Sequence, residues 1–370
     1  MRMCPTRELS EGMILGRSIY QTNGRLLLSA GYRITHDVRT RLLDRNYPFV
    51  YIMESGTEDI IPEDVISDEI RMQSMAMLED KAEKIKKFMQ FQNLSRDRVY
   101  GMLKNGYLKN MDITRDVKSV TEEILKDITA AGVKFMNTIL FKGRDSYLLD
   151  HSINTTILAI LIGRKYRFSH AELLDLALGT FLHDFGKIII EKMREASHDA
   201  LADELVKEHP TFGYMLLRNS HDSSPVVSQI VNQHHEMQDG SGYPIGLKGQ
   251  NLPPLKTVVR EPKGTIYRLA EITAVANAYD GMVLNPLKEK QLSPMEAMKQ
   301  LLLGAGEKYN RDVVSTLSHV VPVFPVGAFV RIKNIFDPNL VGCRGVVAKL
   351  NEQNLNKPLI ILLQDRTRRR

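Results

Sequence analysis

Tryptophan is absent from this 370-residue chain, aromatic residues total only 7%, and there are just two cysteines, Cys4 and Cys343. Two distant thiols with no C-x-x-C spacing exclude a disulfide scaffold and a zinc site built on cysteine, and they fit a reducing compartment. Also lacking is a run of about 18 apolar residues that could span a bilayer. The longest apolar stretches, around 156–163 and 318–330, are broken by His, Pro or Gly or run into charge. No apolar core follows the basic start MRMCPTRELSEG, so no signal peptide is expected. The expectation is a soluble, cytoplasmic protein with no membrane association. Charge of one sign is scarce too: 50 Lys+Arg against 44 Asp+Glu leave +6. Arg366, Arg368, Arg369 and Arg370 supply part of that surplus and read as a solvated terminus, so no nucleic-acid polymer is called for. What remains is ordinary globular composition, 43% hydrophobic and 25% charged, which excludes disorder.

The length predicts more than one domain, and the pattern divides into four segments. Residues 1–60 alternate strand-like pieces (Met13–Leu15, Ser18–Tyr20, Leu26–Ser29, Phe49–Ile52) with Gly turns; Asn23-Gly24 is a hairpin signal. A short helix is predicted over Thr35–Asn46, completing a small α+β module. Residues 61–135 carry apolar positions three and four apart (Ile70, Met77, Leu78, Ile85, Phe88, then Val117, Val120, Ile124, Ile128), the mark of amphipathic helices. Such helices pack on a core or on a twin subunit, and the sequence leaves both open, including a homodimer through 61–135. Residues 136–320 are mostly helical and hold nine of the ten histidines. Residues 321–370 return to strands (Phe329–Ile332, Gly345–Ala348, Leu359–Leu363) and predict a small β-barrel-like module. The expected class is mainly α, a helical bundle flanked by small N-terminal α+β and C-terminal β modules.

Chemistry concentrates in the third segment. His183-Asp184 follows an apolar helix (Leu173, Leu174, Leu176, Ala177, Leu178), and Lys187, three residues on, falls on the same side if that helix continues. His151 opens a second apolar helix, His209 precedes Pro210, and His234 and His235 close a helix whose inner face is Val227, Ile230 and Val231. Imidazoles on apolar helices lose burial free energy unless something accepts their lone pairs. Metal ions do, and imidazole with carboxylate suits Fe, Mn or Zn rather than Ca. One such histidine is ordinarily a satisfied core residue; five beside Asp184 favour metal. Then comes a turn with four glycines and a proline between Gly240 and Gly249, where backbone N–H groups can approach an anion and Tyr243 offers a stacking face.

HD-x-G-K, then H-P-x-x-G, then H-H-E-x-x-D-G-x-G-Y-P-x-G-L-x-G, in that order over roughly residues 140–320, resembles the HD-GYP family of bacterial cyclic-di-GMP phosphodiesterases. The N-terminal module (Leu9-Ser-Glu-Gly-Met13, Gly31-Tyr-Arg-Ile-Thr) looks like an accessory domain found before some of them, and Phe324-Pro-Val-Gly327 resembles a C-terminal extension. The resemblance implies an HD-type bundle with two divalent ions, iron or manganese, with Zn, Ni and Mg as alternatives. One ion would take His151, His183 and Asp184, with Asn277 at the corner where the family has Asp. The other would take Asp184, His209, His234 and His235. Asp184 and Lys187 would be catalytic. Lys187, Asp239, Gly240, Gly242, Tyr243, Pro244 and Lys288 would face the substrate, cyclic-di-GMP, and the product would be pGpG or GMP.

Three departures from the family pattern matter, the first two of them weighing against full activity. Asn277 brings a carbonyl without charge, and Asp280, three residues on, reads as a structural residue of the same helix rather than a replacement ligand. The family's R-P-Y is Asn285-Pro286-Leu287 here, leaving Lys288 as a point charge in place of a guanidinium. Tyr147 stands where some members carry a Glu for a third metal, so two ions are expected. The alternative to hydrolysis is a domain that binds cyclic-di-GMP and signals without cutting it. Lys256, Arg260, Lys263 and Arg268 read as loop charges rather than phosphate contacts.

Overall fold

A computed structural model describes residues 1–20, 26–89, 95–107, 113–136, 147–196, 203–218, 224–255, 263–283, 285, 292–333, 335 and 337–365. The Asn23-Gly24 turn, Lys256, Arg260, Lys288 and the terminal arginines lie outside these residues.

The N-terminal segment folds as β1 (Arg2–Pro5), β2 (Ile14–Leu15), β3 (Ile19–Tyr20), β4 (Leu26–Leu28), α1 (His36–Asp44) and β5 (Phe49–Met53). Thr35 starts α1, its hydroxyl accepting the Val38 N–H at 3.3 Å. β5 is central in an antiparallel sheet of order β1-β5-β2, and β3 pairs with β4 alone. β1 was not expected from sequence, because four residues ending in proline carry no alternation to read. Its register is set by the partner, Cys4 opposite Val50 and Pro5 opposite Phe49.

Next come α2 (Asp68–Phe88), α3 (Arg96–Lys104) and α4 (Ile113–Ala130). Their apolar faces, with Leu78, Ile85, Val99, Val117, Ile124 and Ile128 buried, join one core with the bundle. α2 packs on α4, α5 (Tyr147–Lys165) and α7 (Gly186–Ala196), α4 packs on α6 (His170–Phe181), and α3 packs on α8 (His209–Arg218). Of the two settings the sequence left open, the chain's own core takes these faces. The bundle is completed by α9 (Pro225–Gln233), α10 (Arg268–Met282), α11 (Pro294–Leu303) and α12 (Arg311–Leu317).

α5 is its axis, with every residue from Asp150 to Gly163 buried. A helix apolar all round belongs inside. Ile153, Ile157, Leu158, Ile160, Leu161 and Ile162 are buried on it, and each contributes about 1.5–3 kcal/mol. That gain offsets the burial of polar side chains at its first turn. Two close approaches bring the histidine-bearing elements together. A Cβ on Gly179 of α6 would lie 2.7 Å from Ile230 of α9, and one on Gly186 would lie 1.9 Å from the His209 carbonyl oxygen.

At the C-terminal end, β6 (Phe329–Arg331), β7 (Arg344–Lys349) and β8 (Leu359–Gln364) form an antiparallel sheet of order β6-β7-β8. This corrects the expected barrel: three strands leave two edges and do not close. The sheet buries Val346 and Val347 with Ile60, Val326, Leu350 and Leu355 in a core of its own. It also docks on the N-terminal segment, where the Met3 N–H donates to the Gly327 carbonyl at 2.7 Å and the Tyr51 hydroxyl to the Val326 carbonyl at 3.4 Å. No helix among the described residues is long and apolar enough to cross a membrane.

Candidate metal centre

Helix ends build the site. His183 lies two residues past α6, His209 opens α8, and His234 caps α9. In each, Nδ1 sits close to the backbone oxygen three residues earlier: His183 to Thr180 at 2.6 Å, His209 to Val206 at 2.6 Å, His234 to Val231 at 2.7 Å. A carbonyl only accepts, so Nδ1 carries the proton and Nε2 presents a lone pair. His151, in the first turn of α5, follows the same rule with a side chain: its Nδ1 donates to Asp280 Oδ2 at 2.6 Å, and Tyr147 stacks on its ring at 5.5 Å. Asp280 is thus the residue that orients His151. Tyr147 is fixed in turn by the Asn285 amide, which donates to its hydroxyl at 2.8 Å.

The four Nε2 atoms converge on Asp184. Its Oδ2 faces His183 at 3.5 Å and His151 at 3.7 Å, while Oδ1 faces His209 at 3.2 Å and His234 at 3.8 Å. Two donor groups result, His151–His183–Asp184 and Asp184–His209–His234–His235, the donor atoms of each within 4.8 Å of one another. Asp184 is common to both. Asn277 of α10 lies beside the first group, with Oδ1 2.9 Å from His151 Nε2.

Such a cluster is unfavourable as it stands. Among the described residues His183 Nε2 and Asp184 Oδ1 are buried without a hydrogen-bond partner, and His209 Nε2 and His234 Nε2 confront one another at 3.1 Å. Lone pairs and a carboxylate aimed at common points fit cations. Burial pushes the His183 imidazole down to about 4 and takes His234 and His235 well below the ordinary histidine range, which keeps them neutral and able to ligate. Burial alone would raise the Asp184 carboxyl, but His183, Lys187 and His209 hold it well below the usual carboxylate range.

Lys187 does not continue α6. The chain turns through Leu182–Phe185 and restarts as α7 at Gly186, and this break, rather than a continuous helix, lets Lys187 Nζ reach Asp184 Oδ2 at 2.5 Å. Its side chain is 35% exposed, so the charge looks both inward and outward.

The glycine-rich turn hangs from a residue that spacing alone did not single out. The buried Glu236 carboxylate accepts the N–H groups of Ile245, Gly246 and Leu247 at 2.7, 3.2 and 2.8 Å. Its place beside His235, ahead of a run of glycines, was the available signal. Tyr243, expected to face a base, lies parallel to the His235 ring at 4.7 Å and 17°. The exposed Asp239 carboxylate is occupied by the N–H and hydroxyl of Ser241 at 2.9 and 2.7 Å. Gly240, Gly242 and Pro244 lie in this turn but do not line the cleft of about 250 Å³ formed by His234, His235, Asn277, Gly281 and Tyr309. Arg268 is a structural residue, paired with Glu172 at 2.7 Å, and Lys263 is exposed.

Residues 148–282 match the HD domain family. A cyclic di-GMP phosphodiesterase of Pseudomonas aeruginosa is 26% identical over 245 residues, 64% of this chain and 54% of that protein. One from Thermotoga maritima is 28% identical over 229 residues, 59% of this chain and 58% of its own length. The chain therefore spans little more than half the length of the curated relatives it matches. Among solved structures, a HDG"Y"P protein from Bdellovibrio bacteriovorus aligns with TM-score 0.43 and 17% identity over 85% of this chain and 97% of that one. Residues 148–282 thus match an HD domain, and the ordered His-Asp and Gly-Tyr-Pro motifs within that stretch resemble those of the HD-GYP family.

Proposed function

We propose that this protein is a metal-dependent phosphodiesterase that opens cyclic-di-GMP to pGpG or GMP. The observation that carries the reading is the convergence of Nδ1-anchored imidazoles on both oxygens of Asp184, with His183 Nε2 and Asp184 Oδ1 left without hydrogen-bond partners among the described residues. His151, His183, Asp184 and Asn277 would hold one divalent ion, and Asp184, His209, His234 and His235 the other. Iron or manganese suits this donor set. Bound there, the ions acidify water and neutralise charge developing at phosphorus.

The chain's own groups bind and orient. Lys187, paired with Asp184 and partly exposed, offers a cation to a phosphate oxygen at the rim. The glycine-rich turn, held through Ile245–Leu247 by Glu236, places Tyr243 against the His235 ring. Asp280 keeps His151 Nε2 pointing inward. The reading needs no second copy of the chain, because the 61–135 helices bury their apolar faces internally. The substrate is an intracellular messenger, so the protein would act in the cytoplasm.

One observation favours a second reading, a receptor that binds the dinucleotide intact: Asn277 puts a neutral amide where a charged ligand would hold the first ion more tightly. Metal content of anaerobically purified protein, with a cyclic-di-GMP hydrolysis assay in added Mn(II) or Fe(II), separates the two. Two ions per chain with linear product, lost in Asp184→Ala, supports the enzyme. Cyclic-di-GMP bound but intact, with one ion or none, supports the receptor.

A further inference from the structure

We propose that Tyr309 is a substrate-binding residue of the cleft beside the metal centre, its hydroxyl donating to the guanine of a nucleotide whose phosphate lies at that centre. This role rests on the phosphodiesterase reading of the centre. The cleft, about 250 Å³, has His235 and Asn277 in its lining and so adjoins both donor groups. Its volume gives room for one nucleobase and its sugar, not for a whole cyclic dinucleotide.

Away from the histidines the lining suits a flat group with apolar faces. Ala274, Ala278 and Gly281 stand at i, i+4 and i+7 on one face of α10 and bring little bulk. Met237 and Met282 supply thioethers, which pack well against aromatic rings. Among the described residues no lysine or arginine lines the cleft. A phosphate finds no cationic side chain there, whereas a purine finds apolar surface for its faces.

Tyr309 adds the only hydroxyl of this lining, and its backbone is fixed on both sides. Its N–H donates to the Gly304 carbonyl at 3.1 Å, and its carbonyl accepts the Gly306 N–H at 2.8 Å. Asn310, next in the chain, caps α12 and donates to the buried Glu271 carboxylate at 2.9 Å. The ring lies against Gly304, where a Cβ would come within 3.2 Å of it. Only the hydroxyl is left without a hydrogen-bond partner among the described residues. Burial pushes the phenol up from its ordinary value, so it stays protonated and able to donate. Of the other polar side chains in the lining, Glu236 is taken up by the glycine-rich turn and Asn277 Oδ1 faces His151. Guanine carries N7 and O6 as adjacent acceptors on one edge, a match for a fixed donor.

The test is calorimetric titration of the full-length protein in Mn(II) with GMP and with ribose 5-phosphate, which lacks the base. GMP should bind more tightly than the sugar phosphate. Tyr309→Phe, which keeps the ring, should weaken GMP about fivefold, the worth of one neutral hydrogen bond, and leave ribose 5-phosphate unchanged. Ala278→Leu, which narrows the cleft and keeps the hydroxyl, should also weaken GMP alone. In a cyclic-di-GMP hydrolysis assay, Tyr309→Phe should raise KM by a similar factor while kcat holds. GMP affinity unchanged in Tyr309→Phe overturns the role of the hydroxyl, and indifference to Ala278→Leu as well removes the base from this cleft. Equal affinity for the two ligands in the wild type, or equal losses for both in Tyr309→Phe, overturns base recognition. Absence of hydrolysis or of Mn(II) binding counts against the proposed function, and the paired titrations still decide what Tyr309 does.

Discussion

His183, His209 and His234 reach one geometry by one device, an Nδ1–H bonded to the carbonyl three residues back. The tie is local, orders few torsions and fixes the tautomer before any cation arrives. His151 uses a carboxylate in place of a carbonyl, with Nδ1 bonded to Asp280. Asn277 brings an uncharged amide oxygen to His151 Nε2. Asn277→Asp should tighten Mn(II) binding about tenfold, or about 1.4 kcal/mol, in a metal titration of the purified protein. Unchanged affinity would remove position 277 from the ligand set.

Elements position these residues through close contacts and buried anchors. α7 starts at Gly186, pressed so near the His209 carbonyl that no side chain fits. Gly186→Ala should destabilise the fold by about 3 kcal/mol or pull α7 off α8, read as a lower urea midpoint together with weaker metal binding. A wild-type midpoint would show that the contact relaxes freely. The Gly-Tyr-Pro turn depends on Glu236 in a different way, through three N–H groups sharing one carboxylate. Glu236→Gln keeps the shape but removes the charge and turns one acceptor into a donor. It should cost about 2 kcal/mol in urea unfolding and free Tyr243 from the His235 ring, which tyrosine ring NMR would detect.

For the molecule as a whole, the histidine cluster makes stability depend on pH. His183 titrates near 4 when folded, against an ordinary histidine value of 6.5. The folded state thus binds fewer protons than the unfolded chain between those values. This contribution is complete above 6.5 and is lost as pH falls through that window, at a cost on the order of 3 kcal/mol for this residue. The melting temperature of metal-free protein should therefore drop steeply from pH 6.5 toward pH 4, and His183→Gln should flatten the profile. An identical slope in that variant would place the sensitivity elsewhere. Divalent metal in hundredfold excess over its dissociation constant should add about 2.7 kcal/mol, reversed by chelator.

The sequence by itself carried the helices, because the apolar spacing of α2, α4 and α5 and the Thr35 cap are properties of neighbouring residues. It also carried the ordered His, Asp and Gly-Tyr-Pro motifs, which brought every residue of both donor groups into view. Tertiary structure alone decided which surface the 61–135 helices cover, that β1 exists, that the C-terminal strands stay open, and that α6 breaks before α7. It also gave Asp280 and Glu236 their tasks. The physical reason is distance along the chain: Asp280 meets His151 across 129 residues, and β1 pairs with a strand more than 40 positions away. Capping and periodicity act within a turn or two, whereas a partner for a buried imidazole or an unpaired strand edge is found only when remote segments pack.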